Sequence, residues 1–245
     1  MKQLIKNHLL KKMVVGTIFL GAIQFFIFNK AFCQVNLYYG GKFGTSISQF
    51  TNQQPHTNAK QGITAGVFVG YPINEKLSVQ LEFNYLEEGG QLLDFQTDAD
   101  LGHDTWYITK ADNQKLTLHN IDIPVMAKYA IPLGNVKLYA ILGADLVINI
   151  YANNSHETTV YADDGNITTY TGNEEFTSNI ERYSAGALGG IGFEIPVFTN
   201  NYILIEGRYK YGITTVYKGY SYRGIPQISG DLKNNTMYFT IGFGF

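Results

Sequence analysis

The sequence predicts an all-β fold, an eight-stranded antiparallel up-and-down barrel that crosses a membrane. Three observations predict it. Eight stretches alternate between an apolar and a polar side, and period two is the mark of a β-strand. The connections between them alternate in length, short then long. The chain ends on an aromatic residue, with apolar residues at every second position before it.

Composition agrees with the pattern. Only 16% of the 245 residues are charged, against roughly a quarter in soluble domains. Mean hydropathy is nevertheless near zero, which excludes a bundle of apolar transmembrane helices. Interleaved apolar and polar residues are how a membrane barrel escapes a hydropathy scan. The formal charge of −2, with no basic stripe in the body of the chain, gives no footprint for nucleic acid.

The first element, residues 1–34, is of a different kind. Lys2, Lys6, Lys11 and Lys12 precede an apolar run from Met13 to Phe28, and Ala31-Phe32-Cys33 supplies small residues at the −3 and −1 positions of a cleavage site. This is the layout of a secretory signal peptide, with cleavage expected after Cys33 or Gln34. An uncleaved anchor and a lipoprotein acylated at Cys33 are the other readings. The apolar run is short for a span of about 20 residues, and Lys30-Ala31-Phe32 suits lipidation poorly. A mature chain of 35–245 has no cysteine, hence no disulfide or thiol chemistry.

Strands are expected at 36–48, 62–71, 77–87, 119–131, 136–150, 183–197, 202–216 and 236–245. The third shows the logic: Leu77, Val79, Leu81, Phe83 and Tyr85 point one way, and Ser78, Gln80, Glu82 and Asn84 the other. The apolar set of the first strand is Leu37, Tyr39, Phe43 and Ile47. That of the second is Ile63, Ala65, Val67, Val69 and Tyr71. Ile121, Ile123, Val125, Ala127 and Tyr129 follow in the fourth, and Val136, Leu138, Ala140, Leu142, Ala144, Leu146 and Ile148 in the fifth. The last three offer Ala185, Ala187, Ile191, Phe193 and Ile195; Ile203, Ile205, Tyr209, Tyr211 and Ile213; and Met237, Phe239, Ile241, Phe243 and Phe245. None of these named residues is charged, as lipid contact requires. Tyr71, Tyr85, Tyr129 and Phe245 fall near strand ends, where an aromatic girdle belongs.

Tight turns are expected at 72–76, 132–135 and 199–201, and long loops at 49–61, 88–118, 151–182 and 217–235. Short periplasmic turns and long external loops are the habit of outer-membrane barrels. An even strand count then puts both ends of the barrel on the periplasmic side. A soluble barrel would carry the same alternation inside out. Glycines such as Gly40, Gly44, Gly66, Gly143, Gly190 and Gly242 on the polar side argue against it: a solvated face has no use for residues that weaken strands, whereas a narrow lumen must be kept clear.

The inward charges expected are Lys42, Glu82, Asp122, Lys128, Lys137, Asp145, Glu194, Glu206, Arg208 and Lys210, five of each sign. Eight strands leave an interior that side chains fill, so balanced charge points to an interior salt-bridge network rather than an ion path, which favours one sign. Glu194 and Arg208, on adjacent strands, are candidates to pair.

Other motifs carry less. Gly186 to Gly192 lies inside a strand and lacks the following helix that a phosphate loop needs. Asp94, Asp98, Asp100, His103 and Asp104 form an acidic loop without the glycine and glutamate of a calcium-binding hand; no metal ligand set and no cofactor are expected. His119, and Ser155-His156-Glu157, are the places to look for rim catalysis, but neighbours in sequence do not make a nucleophile, base and orienting group. Tyr- and Thr-rich segments at 161–173 and 217–222, with Trp106, offer contact area for a partner.

The terminal run Tyr238-Phe239-Thr240-Ile241-Gly242-Phe243-Gly244-Phe245 resembles the signal read by the barrel assembly machinery, with Phe239, Ile241, Phe243 and Phe245 the residues read. Strand addition at an open sheet edge is the physical mode.

With Gly66 to Gly70, Leu77 to Tyr85, Asn120 to Pro124, Tyr139 to Gly143, Glu206 to Gly212 and this last strand in place, the chain resembles the PorT-like outer-membrane β-barrel family, small barrels of the OmpA/OmpX type, from about Val35 to Phe245. The resemblance implies an eight-stranded barrel in the outer membrane of a Gram-negative cell. It also implies, for some members, a role in a gliding-associated (type IX) secretion system. It brings no catalytic motif. The expected function is therefore non-enzymatic: a multi-pass, monomeric barrel with a structural, adhesive or secretion-accessory role exerted through its loops. Outer-membrane lipid, lipopolysaccharide, the assembly machinery and a secretion or surface protein are its expected partners. A lipid-modifying enzyme of the outer leaflet, or a narrow pore, is the alternative.

Overall fold

The computed structural model describes residues 36–51, 58–91, 95–100, 106–162, 167–175, 177–198, 201–217, 220–222, 225–228 and 232–245. The barrel unit is Leu37–Phe245; the expected signal peptide lies outside the described residues.

Among the described residues twelve strands appear in chain order: β1 (Tyr38–Thr51), β2 (Lys60–Pro72), β3 (Leu77–Gln91), β4 (Phe95–Asp100), β5 (Trp106–Leu133), β6 (Val136–Ala162), β7 (Ile167–Glu175), β8 (Tyr183–Pro196), β9 (Tyr202–Gly212), β10 (Tyr220–Tyr222), β11 (Ile225–Ile228) and β12 (Lys233–Gly244). Eight of them close a ring, in the order β1-β2-β3-β5-β6-β8-β9-β12 and back to β1, with every pairing antiparallel. The seam between first and last strands pairs from Thr51↔Lys233 to Gly40↔Gly244. Phe245 N donates to Tyr39 O at 2.8 Å and Tyr39 N to Phe245 O at 3.2 Å, so hydrogen bonding runs to the last residue. Closure removes the open edges that a flat sheet must protect.

The turns explain the closure at one end. Asn74 Oδ1 accepts from Lys76 N and Leu77 N, at 2.9 and 2.8 Å, and folds the β2–β3 turn. Leu133 pairs with Val136 across a two-residue turn, and Gly134 takes φ +64°, a backbone that favours glycine in such hairpins.

Outside faces apolar, inside faces polar. Phe43, Leu142, Ile191 and Ile205 are exposed on the outer wall, while Glu82, Lys128, Glu206 and Lys210 are buried in the lumen. One charge departs from the uncharged outer face expected of these segments. Glu87 falls in the outward phase at the end of β3, and Lys60 Nζ reaches it at 2.5 Å.

Two sets of boundaries are corrected. The segments 88–118 and 151–182, expected to be loops, are largely sheet. β3 continues to Gln91, β5 begins at Trp106, β6 runs to Ala162, and β4 and β7 add to β5 and β6. Residues such as Thr158, Thr159, Val160 and Tyr161 favour strands. Polar residues on both faces hid them from a search for alternation. The strand expected over 202–216 stops at Gly212. Its N–H goes sideways to Asn235 Oδ1 at 3.1 Å, and Ile213 and Thr214 both turn to Ala185 O.

The inward glycines sit where strands and long side chains crowd. At Gly190 a Cβ would lie 2.5 Å from Gly207 O and 2.8 Å from Arg208 Cγ. Gly190→Val is therefore expected to destabilise the barrel by about 1–3 kcal/mol, the usual cost of overpacking. Urea unfolding in detergent micelles reads it, with Gly189→Val, directed at the roomier outer wall, as the control.

Candidate functional site: the lumen and its cap

The lumen is filled in levels, set by the strand register. At the short-turn end, Lys128 of β5 pairs with Glu194 of β8. Its ammonium stands 4.3 Å from the ring centre of Tyr139 and 5.0 Å from that of Tyr38, a cation–π arrangement. The Tyr38 hydroxyl donates to Gln80 Oε1 at 3.1 Å and lies 2.9 Å from Ser78 Oγ.

The middle level is a four-charge cluster. Arg208 grips Glu82 as a fork, Nη1 to Oε2 at 2.8 Å and Nη2 to Oε1 at 2.6 Å, the geometry that suits guanidinium and carboxylate. Lys42 reaches Glu82 at 2.6 Å and Glu206 at 3.4 Å. Gln80 and Asn84 donate to Glu82 at 2.6 and 3.0 Å. Tyr139 OH and Arg208 Nη2 each donate to Glu206 Oε2 at 3.0 Å. Two positive and two negative groups thus meet in one desolvated place with their hydrogen-bonding capacity largely used.

The third level, toward the long connections, holds Glu88, Asp122, Asp145 and Lys210. Lys210 pairs with Glu88, and its Nζ lies 3.6 Å from Asp145 Oδ2. Asn120 and Thr236 donate to Glu88 at 2.9 and 2.6 Å. Above it the lumen turns apolar: Phe50, Leu116, Leu118, Ala152, Ile180, Val216, Tyr217 and Leu232 are buried against one another. Tyr217 pairs with Ile180 on one side and Leu232 on the other, so the segments entering β8, leaving β9 and entering β12 continue the pairing of the wall beyond those strands.

Lys42, Glu82, Asp122, Lys128, Asp145, Glu194, Glu206, Arg208 and Lys210 are all buried. Lys137 is not: it is exposed, because it stands one step from the Gly134-Asn135 turn and its inward phase opens at the mouth. Glu194 and Arg208 do not pair. The register sets Arg208 against Gly190 and Glu194 against Leu204, and Glu194 takes Lys128 instead. Lys60 and Glu88 were missed, although Glu88 continues the phase of Gln80, Glu82 and Asn84. Tyr217, expected in a loop tip, is buried in the cap.

On the outer wall, Phe239, Ile241 and Phe245 are exposed. Phe245 stacks on Tyr39 at 5.5 Å and meets Phe243 edge-on at 5.0 Å. His119 Nδ1 lies 2.6 Å from Tyr85 OH, with the Tyr151 ring 5.7 Å away, and Glu87 stands opposite it in the β3–β5 register. Ser155, His156 and Glu157 lie along the β6–β7 pair, opposite Asn173, Gly172 and Thr171. Asp98 and Asp100 are in β4, paired with Ile108 and Trp106; Asp94, His103 and Asp104 lie outside the described residues.

Among solved structures, Neisserial surface protein A (NspA) is similar at 15% identity and a TM-score of 0.42, over 84% of this chain and 95% of that one. OprG of Pseudomonas aeruginosa is similar at 14% and 0.44, over 85% and 93%. Ail of Yersinia pestis, the attachment invasion locus protein, in complex with the heparin analogue sucrose octasulfate, is similar at 13% and 0.38, over 85% and 99%. No curated protein matches the sequence. The model of the outer membrane protein β-barrel domain matches residues 32–218; the chain belongs to that family, and its place is the outer membrane.

Proposed function

We propose that this is a non-enzymatic, monomeric barrel with a filled lumen, whose work is done by the sheet that rises from its long-loop end. On this reading residues 1–34 are a cleaved signal peptide, the short turns face the periplasm, and lipid and lipopolysaccharide surround the outer wall. The assembly machinery reads Phe239, Ile241, Phe243 and Phe245. The resemblance to PorT-like barrels narrows the role to a secretion accessory or adhesive protein that binds a surface or secreted protein.

One observation carries the reading. β5 spans 28 residues and β6 27, whereas a tilted crossing takes about 9–11. At about 3.3 Å per residue, the paired surplus of about 16 residues rises roughly 50 Å along the strand direction. β4 and β7 widen it into a four-stranded sheet, β4-β5-β6-β7. A barrel that only sealed the membrane would have no use for it.

Excising 95–112 and 154–175, each replaced by a short turn, is the test. The trimmed barrel is expected to keep heat-modifiable gel mobility and to lose capture of its protein partner from the cell surface. Unchanged capture and phenotype would remove the reading. In planar bilayers the intact protein is expected to be silent; stepwise conductance would favour the pore, and an altered lipid A mass in a deletion strain the enzyme.

A further inference from the structure

Closing the ring removes sheet edges from the barrel, and the rising sheet brings two of them back. In the order β4-β5-β6-β7, β4 and β7 each pair on one side only among the described residues. An edge offers its N–H and C=O groups to any other strand, and charge or proline is the usual protection. β4 has that protection: Asp98 and Asp100 are two of its six residues. β7 does not. From Ile167 to Asn173 it reads ITTYTGN, without charge or proline, and Glu174 and Glu175 come only at the end nearer the barrel. Independently, this end of β7 is uncovered. A wall strand such as β12 alternates between buried and open positions. Ile167, Thr168 and Thr169 are consecutive and all exposed, so neither face is packed on another layer.

The sequence of the edge says which strand suits it. Antiparallel pairing of β7 with its own copy about Tyr170 sets Thr169 against Thr171, Thr168 against Gly172 and Ile167 against Asn173. The whole uncharged run is used, and both glutamates fall outside it. Aromatic pairs and Thr–Thr pairs are among the cross-strand neighbours that stabilise a sheet. Two copies in one membrane point β7 the same way, so their edges meet in parallel. In register, that puts Glu174 and Glu175 level with their own copies, and like charges side by side are destabilising. A copy anchored in a facing membrane runs the opposite way, as the antiparallel match requires.

We propose that β7 pairs edge to edge with β7 of a second copy of this chain held in a facing membrane, so that the barrel joins two membrane surfaces. The pairing rests on the reading that the rising sheet does the barrel's work, and it names the partner as another molecule of the same chain. One strand pair is a small contact, and interfaces below about 1,200 Å² are weak and transient. Many copies tethered in apposed membranes multiply such an affinity about 10²–10⁴-fold. The chain is therefore monomeric within its own membrane and adhesive between membranes.

The test uses the full chain in phosphatidylcholine vesicles, with heat-modifiable mobility confirming that each variant is folded. Parent vesicles are expected to cluster, read by light scattering, where empty vesicles stay dispersed. Tyr170→Lys and Tyr170→Glu each set like charges opposite one another, and vesicles of either variant alone are expected to lose clustering. Mixed together they are expected to regain it, because opposite charges then meet. Asp98→Lys, on the β4 edge, should leave clustering unchanged. Dispersed parent vesicles overturn the proposal, as does clustering that survives Tyr170→Lys or a mixture that fails to restore it. If parent vesicles stay dispersed while excision of 95–112 and 154–175 still abolishes capture of a cell-surface protein, the partner is a different protein: self-pairing falls and the function proposed above stands.

Discussion

Glu82→Ala is expected to lower the unfolding free energy of the barrel by about 3–5 kcal/mol, the cost of leaving buried partners of an ion pair uncompensated. Glu82 is the common acceptor of Lys42, Arg208, Gln80 and Asn84 and is essentially without solvent access. Its removal leaves Lys42 and Arg208 with only Glu206 between them. Urea titration of the vesicle-inserted protein, followed by heat-modifiable mobility, measures the loss. A variant with all four charges removed together, Lys42→Met, Glu82→Gln, Glu206→Gln and Arg208→Met, is expected to recover much of it, because a neutral group needs no counter-charge. If Glu82→Ala unfolds at the same urea concentration as the parent, the cluster is solvated and the lumen is not a closed polar core.

What could be read from the residues, and what could not, follows from where period two is visible. Leu77 to Tyr85 shows both faces, so the outward and inward sets of the wall were legible. Thr158 to Tyr161 and Trp106 to Thr109 carry no alternation of apolar and polar residues to find. The sheet of β4 to β7 was hidden for that reason. Membership of the lumen was legible from phase. Partnership was not, because it depends on stagger: Arg208 reaches across to Glu82 on β3, which is not a neighbour of β9 in the ring. The apolar cluster was invisible because Ile180, Val216, Tyr217 and Leu232 come from segments with no period at all, and only the closed barrel brings them together.

Leu142→Arg decides whether the exposed apolar wall is a lipid surface. Leu142 is 72% exposed and stands in mid-wall, between Ala127 of β5 and Gly189 of β8. In water, an arginine there would shed exposed apolar area and cost almost nothing. In a bilayer, an arginine at the midplane of a barrel wall costs about 2–4 kcal/mol. Folding into vesicles is therefore expected to be weakened by that amount. Val136→Arg, in the same outward phase of the same strand but beside the Gly134-Asn135 turn, should change stability by less than about 1 kcal/mol, the cost near the interface. The pair reads depth as well as polarity, because both positions lie on one face of β6 and differ chiefly in their distance from the rim. Equal effects at Leu142 and Val136, or a gain at Leu142, would mean that the hydrocarbon core does not lie against this face.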